Sequence, residues 1–169
     1  RELWQRAGEI GILCCNVPEQ YGGAGADWLY NAIVIEEFGR AGASGPGSAF
    51  MVHSEIVAPY IFHGASEDLR REWLPKMVTG EKIGALGLTE PHAGSDATAI
   101  TTRGTKNGDA WAVSGTKAWV TLGGVASALL VVAKTEEEPG HRDVALFVID
   151  SADPGVHFSA PYHKAASDF

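Results

Sequence analysis

The sequence is poor in three things, and each shortage closes off a class of function. Cysteine is the first: only Cys14 and Cys15 occur, side by side. A disulfide between neighbours closes almost no loop and constrains little, so a cross-linked scaffold is excluded and two reduced thiols are expected. Such cysteine usage suits a cytosolic or organellar compartment. Positive charge is the second. Thirteen Lys and Arg stand against 21 Asp and Glu, giving a net charge of −8 with no basic cluster. Sequence-independent binding to nucleic acid phosphates is therefore disfavoured. An anionic ligand would have to be met by local backbone amides and selected side chains. Long apolar runs are the third. Ala128 to Ala133 and Val144 to Ile149 have only strand length, well short of the roughly 20 residues that span a bilayer. No secretory signal is visible, and a chain that opens on Arg1 rather than Met is expected to lack its natural start.

What remains is ordinary for a folded protein: 169 residues, 45% hydrophobic and 20% charged, enough for one good core or two small ones. The pattern changes character near residue 82. Before it the periodicity is helical. Tyr30, Ile33, Val34, Phe38 and Ala41 share one face, with Glu36, Glu37 and Arg40 elsewhere, Asp27 as N-cap and Gly42 as stop. The stretch 48–62 also reads as helix, although Pro59 predicts a break or kink. Ser66, followed by Glu67 and Asp68, suits another helix start; that helix continues through Leu69 and Trp73 until Pro75 ends it or restarts a turn. Gly-rich loops are expected at 21–25 and 42–47.

After residue 82 the signal is β. Asn107-Gly108 marks a tight turn between the stretches 100–106 and 111–114. The alternation of Trp119 and Thr121 with Ala118, Val120 and Leu122 reads as a half-buried strand. The two apolar runs read as central strands joined by a solvated turn at 136–140. Helices followed by an antiparallel sheet indicate an α+β fold, with a helical domain at 1–82 and a β domain of barrel or sandwich type at 83–169. A doubly wound nucleotide fold would need a Gly-rich turn between strand and helix. Here the Gly-containing loop at 87–96 runs from strand toward strand.

That loop, Gly87-Leu88-Thr89-Glu90-Pro91-His92-Ala93-Gly94-Ser95-Asp96, has features that suit a ligand. Leu88 and Thr89 end a strand, Pro91 stiffens the turn, Gly94 permits close backbone approach, and Ser95 and Asp96 can bond main chain or ligand. The same residues also serve as an ordinary capped turn. Trp119 taken alone reads as a core aromatic, and His53 as a satisfied helix histidine rather than a base. The histidines at 53, 63, 92, 141, 157 and 163 show no metal-ligand spacing, so no metal site is expected. No Ser/His/Asp constellation is discernible.

The loop nevertheless resembles, at every constrained position, the signature of the acyl-CoA dehydrogenase family. Gly115-Thr116-Lys117-Ala118-Trp119-Val120-Thr121 resembles that family's second flavin-contacting strand, and Asn16-Val17-Pro18-Glu19-Gln20-Tyr21-Gly22-Gly23 its upstream loop. Trp73-Leu74-Pro75 and Thr79-Gly80-Glu81 resemble the end of its fourth helix. Leu122 departs from the family's usual Asn.

The resemblance implies FAD as cofactor. Leu86, Leu88 and Thr89 would lie along the flavin's pyrimidine edge. Gly94 and Ser95 would meet its pyrophosphate, with Ser95 also beside the CoA chain. Trp119 would pack on the isoalloxazine, and Val120 and Thr121 would flank it, Thr121 nearest N5. Ser48, Phe50, Met51, His53 and Ser54 fall where the family's third helix lines the acyl channel, so Met51 and His53 join Ser95 as substrate contacts.

By the same resemblance the full protein takes hydrogen from the α and β carbons of an acyl-CoA thioester. It would pass electrons to an electron-transfer flavoprotein and assemble as a homodimer or homotetramer. It would work in the bacterial cytoplasm or the mitochondrial matrix. The family's catalytic carboxylate and adenine pocket belong to a C-terminal helical domain expected beyond residue 169, while Glu90 reads as a structural loop residue. No catalytic residue is therefore assigned within the chain, and the chain alone is expected to be inactive. The tail 162–169 resembles a family stretch but lacks its Gly-x-Arg portion, by deletion or by omission. Related acyl-CoA oxidases and flavin monooxygenases share these loops, and a non-catalytic flavin- or partner-binding module is the alternative of another class.

Overall fold

The structure, a computed structural model, describes residues 1–135 and 144–162. The expected turn at 136–140 and the tail from 163 onward lie outside the described residues.

Helix α1 (Glu2–Glu9) buries Trp4 and Ala7. Helix α2 (Trp28–Arg40) starts where expected, with the Asp27 carboxylate accepting the Leu29 amide. Its apolar face is only partly buried, with Phe38 packed on the core and Val34 half-buried. Tyr30 and Ile33 are exposed, and Asn31, bonded through Nδ2 to Glu55, is the one fully buried residue of the helix. Glu36 and Glu37 pair with Arg40 on the solvent side.

The expected loop at 42–47 gives way to helix α3 (Ser44–Met51) after Gly42 turns the chain at φ 68°. Gly47 sits inside α3 because α2 crosses close by: a Cβ there would lie 2.9 Å from that of Phe38. The helical run then widens into a π-helical turn (Val52–Val57) and tightens again as α4 (Ala58–Gly64). Pro59 therefore causes no break. It is the second residue of α4, directly after the wide π turn, and the rod continues through it.

Helix α5 (Glu67–Val78) is capped by Ser66, whose hydroxyl accepts the Leu69 amide. It runs past Pro75 for one more turn, contrary to the expected stop. Burial of Trp73, Leu74 and Met77 on the same helix offsets a proline cost of about 3 kcal/mol.

The sheet holds β1 (Gly84–Gly87), β2 (Arg103–Asn107), β3 (Ala110–Ser114), β4 (Ala128–Thr135) and β5 (Val144–Asp150). Strands β2 and β3 form the expected hairpin, turning at Gly108 with φ 63°. Strand β4 is central: β5 lies antiparallel along one edge, while β1 and β2 share the other edge in parallel. The α+β arrangement stands, but the sheet is mixed rather than antiparallel. The long connection from β1 to β4 carries the hairpin within it, which lets β4 return in the direction of β1. Among the described residues β5 pairs only with β4, so it is an edge strand rather than a central one.

The hydrophobic core crosses the change of pattern at residue 82. One cluster joins Trp4, Phe50, Ile61, Leu74 and Met77 to Ile83, Ala85 and the first half of β4. No helix among the described residues is long and apolar enough to cross a membrane.

Candidate functional site

The loop after β1 is a small, closed structure. Glu90 and Ala93 exchange backbone hydrogen bonds of 2.9 and 3.1 Å, which puts Pro91 and His92 at the tip of a tight turn. Gly94 and Ser95 follow on the exposed side, and nothing in the chain stands within 4 Å of where a Gly94 Cβ would be. Asp96 then caps a short 3-10 turn, accepting the amide and hydroxyl of Thr98. Those bonds, the hydroxyl first, hold its carboxyl below the usual range.

Leu86 pairs with Leu130 in the sheet, and Leu88 packs toward Ala93, Ile100 and Val132. Both side chains are half-buried against this cluster.

Beneath the turn lies Glu90, with its side chain 1% exposed. Its Oε2 accepts the Thr101 amide at 2.7 Å and hydroxyl at 2.8 Å. Its Oε1 accepts the Thr102 amide at 2.9 Å, the Thr102 hydroxyl, and the Lys117 ammonium at 2.8 Å. Burial alone would raise this carboxyl. The bonds from Lys117, Thr102 and the two amides override it and hold the group well below the carboxylate range. Glu90 is structural, ionised and fully engaged.

Lys117 Nζ also donates to the Leu88 carbonyl at 3.0 Å, and Ala118 N–H donates to the Thr89 carbonyl at 2.8 Å. These bonds lay the segment 115–121 against the loop.

That segment is not the strand the alternation predicts. Trp119 and Leu122 have left-handed backbones, with φ of 57° and 67°, and the chain turns repeatedly from 121 to 125. Trp119 is thereby thrown outward: 65% of it is exposed, apart from contact with Tyr162 at a ring separation of 4.6 Å. Val120 packs on the core and Thr121 is half-buried. The structure therefore brings Leu86, Leu88, Thr89, Trp119, Val120 and Thr121 together through two polar links rather than through strand pairing.

His53 does not belong to this surface. Its ring is fully buried; Nε2–H donates to the Met77 carbonyl and Nδ1 accepts the Gly84 amide, each at 3.0 Å. Desolvation pushes its pKa down to about 4, so the ring is neutral and closed to any ligand. Ser54 is likewise buried, accepting the Cys14 amide, and Phe50 lies in the core between Trp4 and Phe38. Met51 remains accessible, lining a shallow cleft with Ile12, Val34, Ile35 and Glu55. Both cysteines are buried and unbridged, and burial pushes the Cys14 thiol up to about 12.

Lys117 is the site residue that residue-type reasoning passed over. The available signal was a lone cation between Gly115 and Trp119, in a segment otherwise free of charge.

Two family models match the chain: acyl-CoA dehydrogenase, N-terminal domain, over residues 1–81, and acyl-CoA dehydrogenase, middle domain, over residues 85–169. The mitochondrial long-chain specific acyl-CoA dehydrogenase of Sus scrofa is 39% identical over 167 residues, covering 97% of this chain and 38% of that protein. The mitochondrial isovaleryl-CoA dehydrogenase of Pongo abelii is 34% identical over 166 residues, covering 97% and 39%. A solved acyl-CoA dehydrogenase from Bacillus anthracis, described as complexed with FAD, aligns with a TM-score of 0.86. Its identity is 34%, over 96% of this chain and 28% of that one. This chain spans about two fifths of the length of these curated relatives.

Proposed function

This chain belongs to the acyl-CoA dehydrogenase family, and from that premise we propose that it forms one wall of a joint FAD and acyl-CoA site. The enzyme of which it is part removes hydrogen from the α and β carbons of a fatty acyl-CoA thioester.

One observation carries the reading: Trp119 is held beside the signature loop by buried polar bonds, yet its indole stays exposed. Tyr162 lies against the indole at a ring separation of 4.6 Å, and an aromatic fixed in position with most of its surface open fits the stacking of a planar ring. The residues at hand fit FAD in other respects. Gly94 and Ser95 offer an open backbone and a hydroxyl to the anionic arm. Leu86, Leu88 and Thr89 bring main chain to the ring's polar edge, with Val120 and Thr121 flanking the indole. When bound, FAD supplies the acceptor for the hydride leaving the β carbon. The chain's own part is to hold the ring, to set donors where negative charge gathers on it, and to keep water from its face. Met51 and Ser95 are the substrate contacts that remain once His53 is withdrawn.

Thioester enolisation requires a free carboxylate within reach of the α-proton. Both loop carboxylates are committed elsewhere, Glu90 to five donors and Asp96 to Thr98. Neither can serve as the base, which by the family resemblance belongs to a domain outside these 169 residues, so the chain by itself is expected not to turn over substrate. Electrons pass onward to an electron-transfer flavoprotein. The complete protein works as a homodimer or homotetramer, in the matrix of a mitochondrion or the cytoplasm of a bacterium.

Two measurements test this. Acyl-CoA added without oxygen should bleach the visible absorbance of the full-length flavoprotein, with slow return in air. The chain 1–169 with added FAD should show no turnover. Clear turnover by the chain alone refutes the placement of the base, and a full-length protein that takes up no FAD refutes the whole reading.

A further inference from the structure

Two segments make the candidate flavin wall, and little joins them. Among the described residues no strand pairs with 115–121. Its links to the loop are the Ala118 amide on the Thr89 carbonyl and the Lys117 ammonium on the Leu88 carbonyl and the Glu90 carboxylate.

We propose that the buried Glu90–Lys117 pair is a positioning device, with Lys117 setting how far Trp119 and Thr121 stand from the loop 87–95 and so how bound flavin is held. This rests on the flavin reading above.

Three features argue for position rather than stability. First, Glu90 is anchored without Lys117, because Thr101 and Thr102 together supply four donors. A buried ion pair replaced by well-packed neutral groups often costs nothing, so its value lies in directional bonds that select one arrangement. Second, the ammonium does not stop at the carboxylate. Its bond to the Leu88 carbonyl ties the segment to the end of β1, one residue from Thr89. Third, Trp119 lies two residues on and holds a left-handed backbone that a non-glycine residue leaves unless its surroundings over-determine it. With Lys117 only 10% exposed and fastened at both acceptors, the chain entering Trp119 has one course.

The test uses the full-length protein with FAD and compares Lys117→Met, the paired variant Glu90→Gln/Lys117→Met, and Lys117→Gln should the first not fold. The paired variant removes both charges; its new side-chain NH2 faces an amide donor of Thr101 or Thr102, so it is expected to melt somewhat lower while remaining folded. It should still bind FAD about tenfold or more weakly, with a shifted visible spectrum and a shifted flavin reduction potential. Misplacing a reacting group by about 1 Å can cost on the order of 100-fold in rate, so kcat should fall more than KM rises. A folded variant with unchanged FAD affinity, spectrum and potential overturns the proposal. An unaltered protein that binds no FAD overturns the flavin reading, and this inference with it, by a separate result.

Discussion

Replacing His53 by Gln gives a sharp test of the buried network between the helices and the sheet. The imidazole accepts from the Gly84 amide and donates to the Met77 carbonyl, which only the neutral Nε2–H tautomer can do at once. Protonation would set a second N–H against that of Gly84, in a site from which water is excluded. Burial accordingly lowers the pKa from 6.5 to about 4. The unfolded chain holds the proton more tightly, so below about pH 6.5 it gains protons that the folded state refuses. Stability from the neutral ring is therefore intact above pH 6.5 and drains away as the pH falls toward 4. At about 1.4 kcal/mol per pH unit the full loss is about 3 kcal/mol, with about 2 kcal/mol already gone at pH 5.

Gln cannot titrate and reproduces the two bonds imperfectly, so at pH 7 it should cost about 1–3 kcal/mol. Guanidinium unfolding of both chains can be followed by tryptophan fluorescence, since Trp4 packs edge-on to His53 at 5.0 Å. The difference between them should shrink by about 2 kcal/mol between pH 7 and pH 5. A difference that stays constant across this range would refute the argument.

Two further outcomes are expected. Gly115→Ala would place a Cβ 2.3 Å from the Thr102 hydroxyl and 2.7 Å from its Cα; overpacking of this kind should cost about 1–3 kcal/mol, read as a lower guanidinium midpoint. Trp119→Ala removes an exposed side chain, so it should shift stability by no more than about 0.5 kcal/mol while weakening FAD binding measurably in a fluorescence titration of the full-length protein.

The parts of the fold legible in the sequence were those decided locally. Asp27 and Ser66 cap helices because their oxygens reach amides two and three residues on, and Gly108 turns the hairpin by its own backbone. Features decided at a distance were not legible. The periodicity of α2 revealed a helix with an apolar face. It did not reveal that Asn31 would be the most buried residue of that helix, because Glu55 waits on the π-helical turn. Pro75 stays helical because of what Trp73, Leu74 and Met77 bury.

The site divides the same way. The loop 87–96 was readable as a turn from its own residues, while its ligand role came only from the family resemblance. The alternation around Trp119 pointed to a strand, whereas the segment is positioned by a lysine that bonds residues 27 and 29 positions earlier. Residues Thr101 and Thr102, which anchor Glu90, carry no local mark of that role.

The π-helical turn at Val52–Val57 has a consequence for how this helix tolerates a change of length. The Ala58 amide reaches back five residues to the His53 carbonyl, so the turn holds one residue more than an α-helix would. The extra residue is absorbed by the wider turn, and the rod continues on both sides of it. Deleting one residue of the turn would let it close as an ordinary α-helical turn, with α3 and α4 kept near their present orientation. The cost of such a deletion should therefore fall on the bonds that His53 and Ser54 make from the wide turn to Met77, Gly84 and Cys14.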